Sequence, residues 1–227
     1  MQRLRRVLLV TTIVVLVVPI ALILPLNFMQ PPTTAMMLVR GIQRFAAGTE
    51  PAYPRRSVVP SSRISPHLRR AVLAAEDDRF YLHYGFDFEE IGNAIERARR
   101  GGRLRGASTI TQQVAKNLFL WEGQSYVRKG AEAYLTLILE LCLSKDRILD
   151  LYLNLAECGD GVFGAELAAR KHFRKSARNL SREEAARLAA ILPAPRRWPA
   201  YGSVATRRAQ VILDRMAFAA PREGGSR

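Results

Sequence analysis

No charged residue occurs between Val7 and Leu26, and valine, leucine and isoleucine fill most of that run. About 20 apolar residues are what a helix needs to cross a bilayer core. Pro19 and Pro25 interrupt the run, but membrane helices tolerate proline better than soluble ones do. The pattern predicts a single transmembrane helix over 7–26 behind a stub of residues 1–6. Arg3, Arg5 and Arg6 precede the run, which puts the stub in the cytoplasm and the rest of the chain outside. A cleaved signal peptide competes with this reading, although the run is longer than a usual signal core and no small-x-small cleavage site clearly follows.

Residues 27–64 read as a membrane-proximal connector. Pro31, Pro32, Pro51, Pro54 and Pro60 exclude a long helix there. Between them Leu38, Ile42 and Phe45 recur at i, i+4 and i+7, with Arg40 and Arg44 alongside. That spacing predicts a short amphipathic helix, either lying on the membrane surface or packed on the protein.

Helical periodicity dominates the remainder. Ser65-Pro66 is a helix start, and Leu68, Val72 and Glu76 share one row, so a carboxylate continues an apolar stripe. A helix is expected near Phe88 to Arg100, then a mobile basic loop, Arg99 to Gly106. From Gly106 the chain reads G-A-S-T-I-T-Q-Q-V-A-K-N, with Ser108 the expected N-cap. Ile110, Val114 and Leu118 make one row of that helix; Thr109, Gln112, Gln113 and Lys116 make the opposite face. Hydroxyls at a helix N-terminus, with a lysine two turns on, suit a phosphate-bearing ligand. Phe119-Leu120-Trp121 then leads into a turn at Glu122-Gly123, read as core packing or as contact with lipid tails.

The helix from Tyr126 to Leu143 is apolar nearly all round in its second half; Arg128, Glu132, Thr136 and Glu140 form one polar row, with Lys129 in reach of Glu132. Surface salt bridging is the bland account; a polar row lining a cleft is the sharper one. Further helices follow near Asp146 to Glu157, Ala165 to Phe173, from the capping box at Ser181 to Glu184, and from Thr206 to Phe218. Strand signal is slight, so the fold class is mainly α.

Charge narrows the partners. The 227 residues carry a net +15, and all 20 acidic but only 32 of 35 basic residues lie after the apolar run, a balance of +12 there. Such a balance calls for an anionic partner: nucleic acid, lipid headgroups or a phosphate-bearing substrate. The exported topology sets nucleic acid aside and favours lipid and diphosphate groups. Cys142 and Cys158 both fall in apolar helical sequence and read as buried free thiols. There is no C-x-x-C or H-E-x-x-H, and His67, His83 and His172 are scattered, so no protein-made metal site is expected.

Four motifs then carry a resemblance. E-D-D-R-F-Y-L-H-Y-G at Glu76, G-A-S-T-I-T-Q-Q-V-A-K-N at Gly106, R-K-G-A-E at Arg128 and S-K-D-R-I-L-D-L-Y-L-N at Ser144, in this order, resemble the peptidoglycan glycosyltransferases (glycosyltransferase family 51) over about residues 65 to 195. The resemblance implies a lysozyme-like, two-lobed helical domain, taken here as 65–227, behind the single anchor. It implies the monofunctional branch, since little chain remains for a transpeptidase domain. The implied location is the bacterial inner membrane, single-pass, with the catalytic domain in the periplasm.

The same resemblance implies an activity: polymerisation of lipid II into β-1,4-linked glycan, with release of undecaprenyl diphosphate. Glu76 would be the general base and Glu132 the second essential carboxylate. Lys116, Arg128 and Lys129 match cationic positions near the diphosphate. Ser108, Thr109, Gln112, Gln113 and Asn117 match substrate-contacting positions, and Asp77, Phe80, His83 and Gly85 match the first motif, shaping the site. No protein-bound cofactor is implied beyond a divalent cation (Mg or Mn) at the substrate diphosphate. Partners would be lipid II, the growing lipid-linked chain, the membrane, and cell-division or elongation proteins. Ala107 stands where the family commonly has glycine, and Gln124 where some relatives carry an arginine. A lytic transglycosylase or muramidase-like enzyme shares the implied shape, and a non-catalytic membrane-anchored adaptor fits the basic charge.

Overall fold

The computed structural model describes residues 2–51, 53–102, 106–123 and 125–218, so Gln124 and most of the arginine-rich stretch (103–105) lie outside the described residues. The chain opens as one helical rod, Gln2–Asn27, long and apolar enough to cross a membrane. Within it, α1 (Gln2–Thr12) passes through a π-helical turn (Ile13–Val17) into α2 (Val18–Ile23) and a 3-10 turn (Leu24–Asn27). Pro19 sits in the first turn of α2 and Pro25 in that of the 3-10 turn. Each proline lacks an N–H to give to the preceding turn, and the wider and tighter turns absorb that loss.

Helix α3 (Ala35–Ala46) is the amphipathic helix that Leu38, Ile42 and Phe45 predict. It packs against a later helix while those three side chains stay exposed. Strand β1 (Arg55–Arg56) follows, then α4 (Pro66–Glu76), whose N-cap Ser65 accepts from His67 N at 3.2 Å. Next come α5 (Phe88–Arg99), α6 (Ile110–Phe119), α7 (Tyr126–Cys142) and α8 (Lys145–Leu155). Strands β2 (Glu157–Gly159) and β3 (Val162–Phe163) form a hairpin, and β1 adds parallel to β3, giving the order β1-β3-β2. The glycines between 159 and 164 therefore turn a small sheet, where periodicity showed only a helix break. Helices α9 (Ala165–Phe173), α10 (Arg182–Ile191) and α11 (Ser203–Phe218) complete the chain.

The core forms around α8, which is buried at every residue from Ile148 to Leu155. Such all-round burial explains why its sequence is apolar beyond one face. Four alanines of α10 (Ala185, Ala186, Ala189, Ala190) are fully buried where it meets α4 and α11. Side chains this small let the helix axes approach closely.

The N-terminal rod does not hang free of this body. Ile23 and Leu26 belong to the main core, Asn27 Nδ2 donates to Cys142 O at 3.0 Å, and the Tyr134 hydroxyl donates to Val15 O. The rod therefore lies along α7. Cys142 and Cys158 are free thiols, with Cys158 buried and pushed up to about 12 by that burial.

Candidate active site

Helix α4 ends on Glu76, and the chain turns sharply at Asp77. The Glu76 carboxylate accepts from Gln113 Nε2 at 2.9 Å, and Gln113 Oε1 accepts from the Tyr152 hydroxyl at 3.2 Å. Tyr152 lies on α8, essentially fully buried. The acceptor-only carboxylate fixes which end of the Gln113 amide faces it, the buried phenol holds the other end in place, and the amide then aims the carboxylate. Burial pushes Glu76 above its ordinary range; the Gln113 hydrogen bond and the charges of Arg208 and Lys116 pull it back, while Asp77 pushes further up. Arg208 on α11 is a residue that periodicity missed. Its Nε donates to Ala190 O at 3.1 Å, and its guanidinium lies 5.3 Å from the Trp198 ring centre.

Asp77 is buried, unlike its exposed neighbour Asp78. Asp77 Oδ2 accepts from Ile110 N at 2.9 Å, capping α6, and Oδ1 pairs with His83 Nε2 at 2.9 Å. A carboxylate at a helix N-terminus satisfies an otherwise orphan N–H and complements the helix dipole. Asp77, His83 and Asp87 also lie within metal-ligand distance of one another. Their oxygens are already engaged, however: Asp87 Oδ1 accepts from Glu90 N at 2.9 Å, and Oδ2 faces Arg79 at 3.4 Å. The cluster is a hydrogen-bonded brace between the first motif and α6. Phe80 is buried in the core under the Lys145 ammonium, 4.5 Å from its ring centre.

Gly85 takes φ +80°, and a Cβ there would stand 2.6 Å from Thr136 Cγ2. Its carbonyl accepts from Thr109 Oγ1 at 2.7 Å. Only glycine permits that approach of the loop to α7.

At the start of α6 the expectation of Ser108 as N-cap is corrected: Ser108 is exposed, and Thr109 caps the helix. Thr109 and Gln112 form a capping box, Gln112 Oε1 accepting from Thr109 N at 2.9 Å and Thr109 Oγ1 from Gln112 N at 3.2 Å. Both side chains are buried and occupied by the fold, so they do not stand on an open polar face. The capping box wins because it satisfies orphan helix donors in a buried place.

Gln113, Lys116 and Asn117 do face open space. They line a cavity of about 580 Å³ together with Arg40, Glu122, Arg196 and Arg197, among others. Arg196 and Arg197, beyond the Pro193 and Pro195 stop, were not singled out by sequence; their only signal is a basic pair after a helix end. Burial pulls Lys116 down, and the charges of Glu132, Glu122 and Glu76 pull it up against Arg128. The charges of both Glu76 and Glu132 thus act on Lys116.

Glu132 is 3 % exposed. Arg128 Nη1 holds one oxygen at 2.7 Å and the Lys129 ammonium holds the other. Arg128 Nε also donates to Gly123 O at 2.8 Å, tying the α6–α7 loop to this ion group. The row predicted on α7 is real, but Thr136 and Glu140 turn inward, Glu140 accepting from Thr111 Oγ1 at 2.5 Å and pairing with Lys145 at 2.8 Å.

A family profile described as Transglycosylase matches residues 43–217. The chain belongs to the transglycosylase family. Its helical domain is accordingly of the lysozyme-like kind. Over 181 residues the transglycosylase is 52% identical to a protein of Pseudomonas putida (strain KT2440) named biosynthetic peptidoglycan transglycosylase, covering 80% of this chain and 76% of that one. A protein of the same name from Pseudomonas fluorescens (strain SBW25) is 50% identical over 199 residues, covering 87% of this chain and 82% of the other. The Pseudomonas entomophila (strain L48) protein, again so named, is 51% identical over 181 residues, covering 80% and 76%.

Proposed function

We propose that this transglycosylase polymerises lipid II into β-1,4-linked peptidoglycan strands, with Glu76 as the general base. The observation that carries the assignment is the aimed Glu76 carboxylate, held by Gln113 with Lys116 one turn further along α6. The family and the names of the relatives support the same reaction class.

On this reading the family's reaction assigns each group a role. A base at Glu76 takes the proton from the acceptor sugar's 4-hydroxyl as that oxygen attacks the donor's anomeric carbon. The bond to the lipid diphosphate breaks with inversion, and undecaprenyl diphosphate leaves. Glu76 has to be ionised to act, and the Gln113 hydrogen bond with the Lys116 and Arg208 charges offsets part of what burial does. Negative charge grows on the leaving diphosphate, where Lys116 and the Arg128–Lys129 pair supply fixed positive charge at little reorganisation cost. Glu132 fixes the positions of that pair. A divalent cation (Mg or Mn) would arrive on the diphosphate, where it would neutralise part of the same charge.

The surface suits a substrate carried on a lipid. Phe28 and Met29 at the end of the rod, and Val127, Leu137 and Leu141 along α7, are exposed apolar side chains. Exposed apolar side chains of this kind suit contact with acyl and prenyl chains. Arg3, Arg5 and Arg6 keep the N-terminus in the cytoplasm, so the domain works on the periplasmic side of the inner membrane.

A lytic enzyme acting on neutral glycan has no use for the Lys116 ammonium in a cavity bordered by Arg196 and Arg197. The deciding experiment is polymerisation of labelled lipid II by wild type and Glu76→Gln. Lysozyme-sensitive polymer from wild type alone is the expected result. Cleavage of preformed glycan without polymerisation would transfer the assignment to the lytic class. Neither activity would leave a binding protein.

A further inference from the structure

Helix α3 buries a guanidinium at the edge of the cavity. Arg40 is 4 % exposed. Its Nε donates to Glu157 Oε2 at 2.9 Å, and Nη1 donates to Gln43 Oε1 at 2.6 Å. Its two terminal nitrogens also fork onto both oxygens of Glu122, at 2.8 and 2.5 Å. Desolvation lowers Arg40, but the two carboxylates more than offset it. Glu122 in turn is held below the ordinary carboxylate range, chiefly by the Arg40 hydrogen bonds.

Glu122 lies on the α6–α7 loop, six positions after Lys116, and both line the same cavity. Arg196 approaches it from the other side at 3.8 Å. Three carboxylates act on the Lys116 charge: Glu132, Glu122 and Glu76. Glu132 is bound by Arg128 and Lys129, and Glu122 is bound by Arg40. Glu76 has the neutral amide of Gln113 as its hydrogen-bond partner among the described residues. The two carboxylates that are not the base are thus each taken up by a cation, while the base is left to a neutral donor.

We propose that Arg40 is a positioning residue whose fork sequesters the Glu122 carboxylate, leaving the Lys116 ammonium to the anionic group of the substrate. Glu157 lines the same cavity, so Arg40 takes up both carboxylates of that wall. Buried ion pairs are in any case weak contributors to net stability. The second carboxylate comes from a loop at the cavity wall, where a released Glu122 would swing toward the nearest desolvated cation. The bidentate geometry needs arginine, because a lysine presents no planar fork. This deepens the reading of Lys116 as a diphosphate-binding group and rests on it.

The test uses the full chain in detergent micelles, as wild type, Arg40→Met, Glu122→Gln and the double variant. Lys116 is followed by NMR of ¹³C-labelled lysine side chains, and inorganic pyrophosphate is titrated as the anion probe. Arg40→Met is expected to raise the Lys116 titration midpoint and weaken pyrophosphate binding about tenfold, as an added carboxylate beside the site should. Removing that carboxylate in Arg40→Met/Glu122→Gln restores both, and Glu122→Gln alone binds pyrophosphate at least as tightly as wild type. If Arg40→Met does not fold, Arg40→Lys takes its place and gives a smaller change in the same direction. An unmoved Lys116 in the folded single variant overturns the proposal, as does a double variant that fails to recover. Lipid II polymerisation by wild type is scored separately. A Lys116 shift without any polymerisation would refute the enzymatic reading and leave the sequestration standing.

Discussion

Gln113 reaches across from α6 to donate to the Glu76 carboxylate at 2.9 Å, joining the end of one helix to the first turns of another. The contact matters because a carboxylate taken out of water drifts toward its neutral form, and an amide donor favours the charged one.

The Gln113 amide is held in place by Tyr152, so Tyr152→Phe should impair catalysis without touching substrate. We expect kcat/KM for lipid II polymerisation to fall about tenfold, the equivalent of one hydrogen bond of ~1.4 kcal/mol. An unchanged melting temperature beside that loss separates aim from stability. Equal kcat/KM in the two proteins would show that Gln113 orients itself.

Because burial raises Glu76, the acid limb of the pH–rate profile should lie above the ordinary carboxylate range. Gln113→Ala removes the hydrogen bond that lowers it, so the limb should move to still higher pH. A kcat/KM titration of both proteins checks the direction. A limb that moves to lower pH in Gln113→Ala would contradict the assigned role.

The same raised pKa has a stability consequence of fixed sign. Between the unfolded carboxyl value near 4.5 and the higher folded value, the native state binds more protons than the unfolded chain. Stability is therefore greatest below the unfolded value and falls as pH rises through the folded one. Glu76→Gln carries no such cost. It should abolish polymerisation while raising the melting temperature at neutral pH, with the gain vanishing near pH 4 or below. Differential scanning calorimetry at two pH values reads this.

Thr109 is occupied as a helix cap and as a donor to Gly85 O. Thr109→Ala should cost about 1–2 kcal/mol in denaturant unfolding, and Thr109→Ser should recover most of it. The KM for lipid II should stay near wild type in the folded Ala variant. A raised KM with intact stability would make Thr109 a substrate contact after all.

Gly85→Ala combines a positive φ with a Cβ only 2.6 Å from Thr136 Cγ2. The strain and overpacking together should destabilise the domain by about 2–4 kcal/mol. Pairing it with Thr136→Ser, which removes the clashing methyl, should return part of that loss. Identical unfolding curves for the wild type and Gly85→Ala would mean that the loop can move aside.

Much of this was legible in order along the chain. Apolar periodicity located nearly every helix, because a helix that buries one face must repeat its apolar residues at that face's spacing. The uncharged run at 7–26 likewise announced the long apolar helix at the start of the chain. The polar row on α7 was visible too, since Glu132 on so apolar a helix needs a partner and Arg128 stands one turn before it.

Other features depend on residues far apart in sequence. Ser108 and Thr109 are equally good caps by composition, and what decides between them is the Gly85 carbonyl that the first motif brings to Thr109. Asp77 and Asp78 look alike until α6 presents its Ile110 N–H to one of them. The hairpin at 157–163 is too short for alternation to register, and it exists because β1, a hundred residues earlier, pairs with it.

Local sequence thus determined which segments are helical, and that two carboxylates and a basic group sit on otherwise apolar helices. Tertiary structure alone decided what each polar group spends its hydrogen bonds on: Gln112 on its own helix start, Gln113 on Glu76, Arg40 on Glu122. The physical reason is that periodicity is a property of neighbours along the chain. The partner of a buried polar atom is set by whichever distant element packing brings within 3 Å or so.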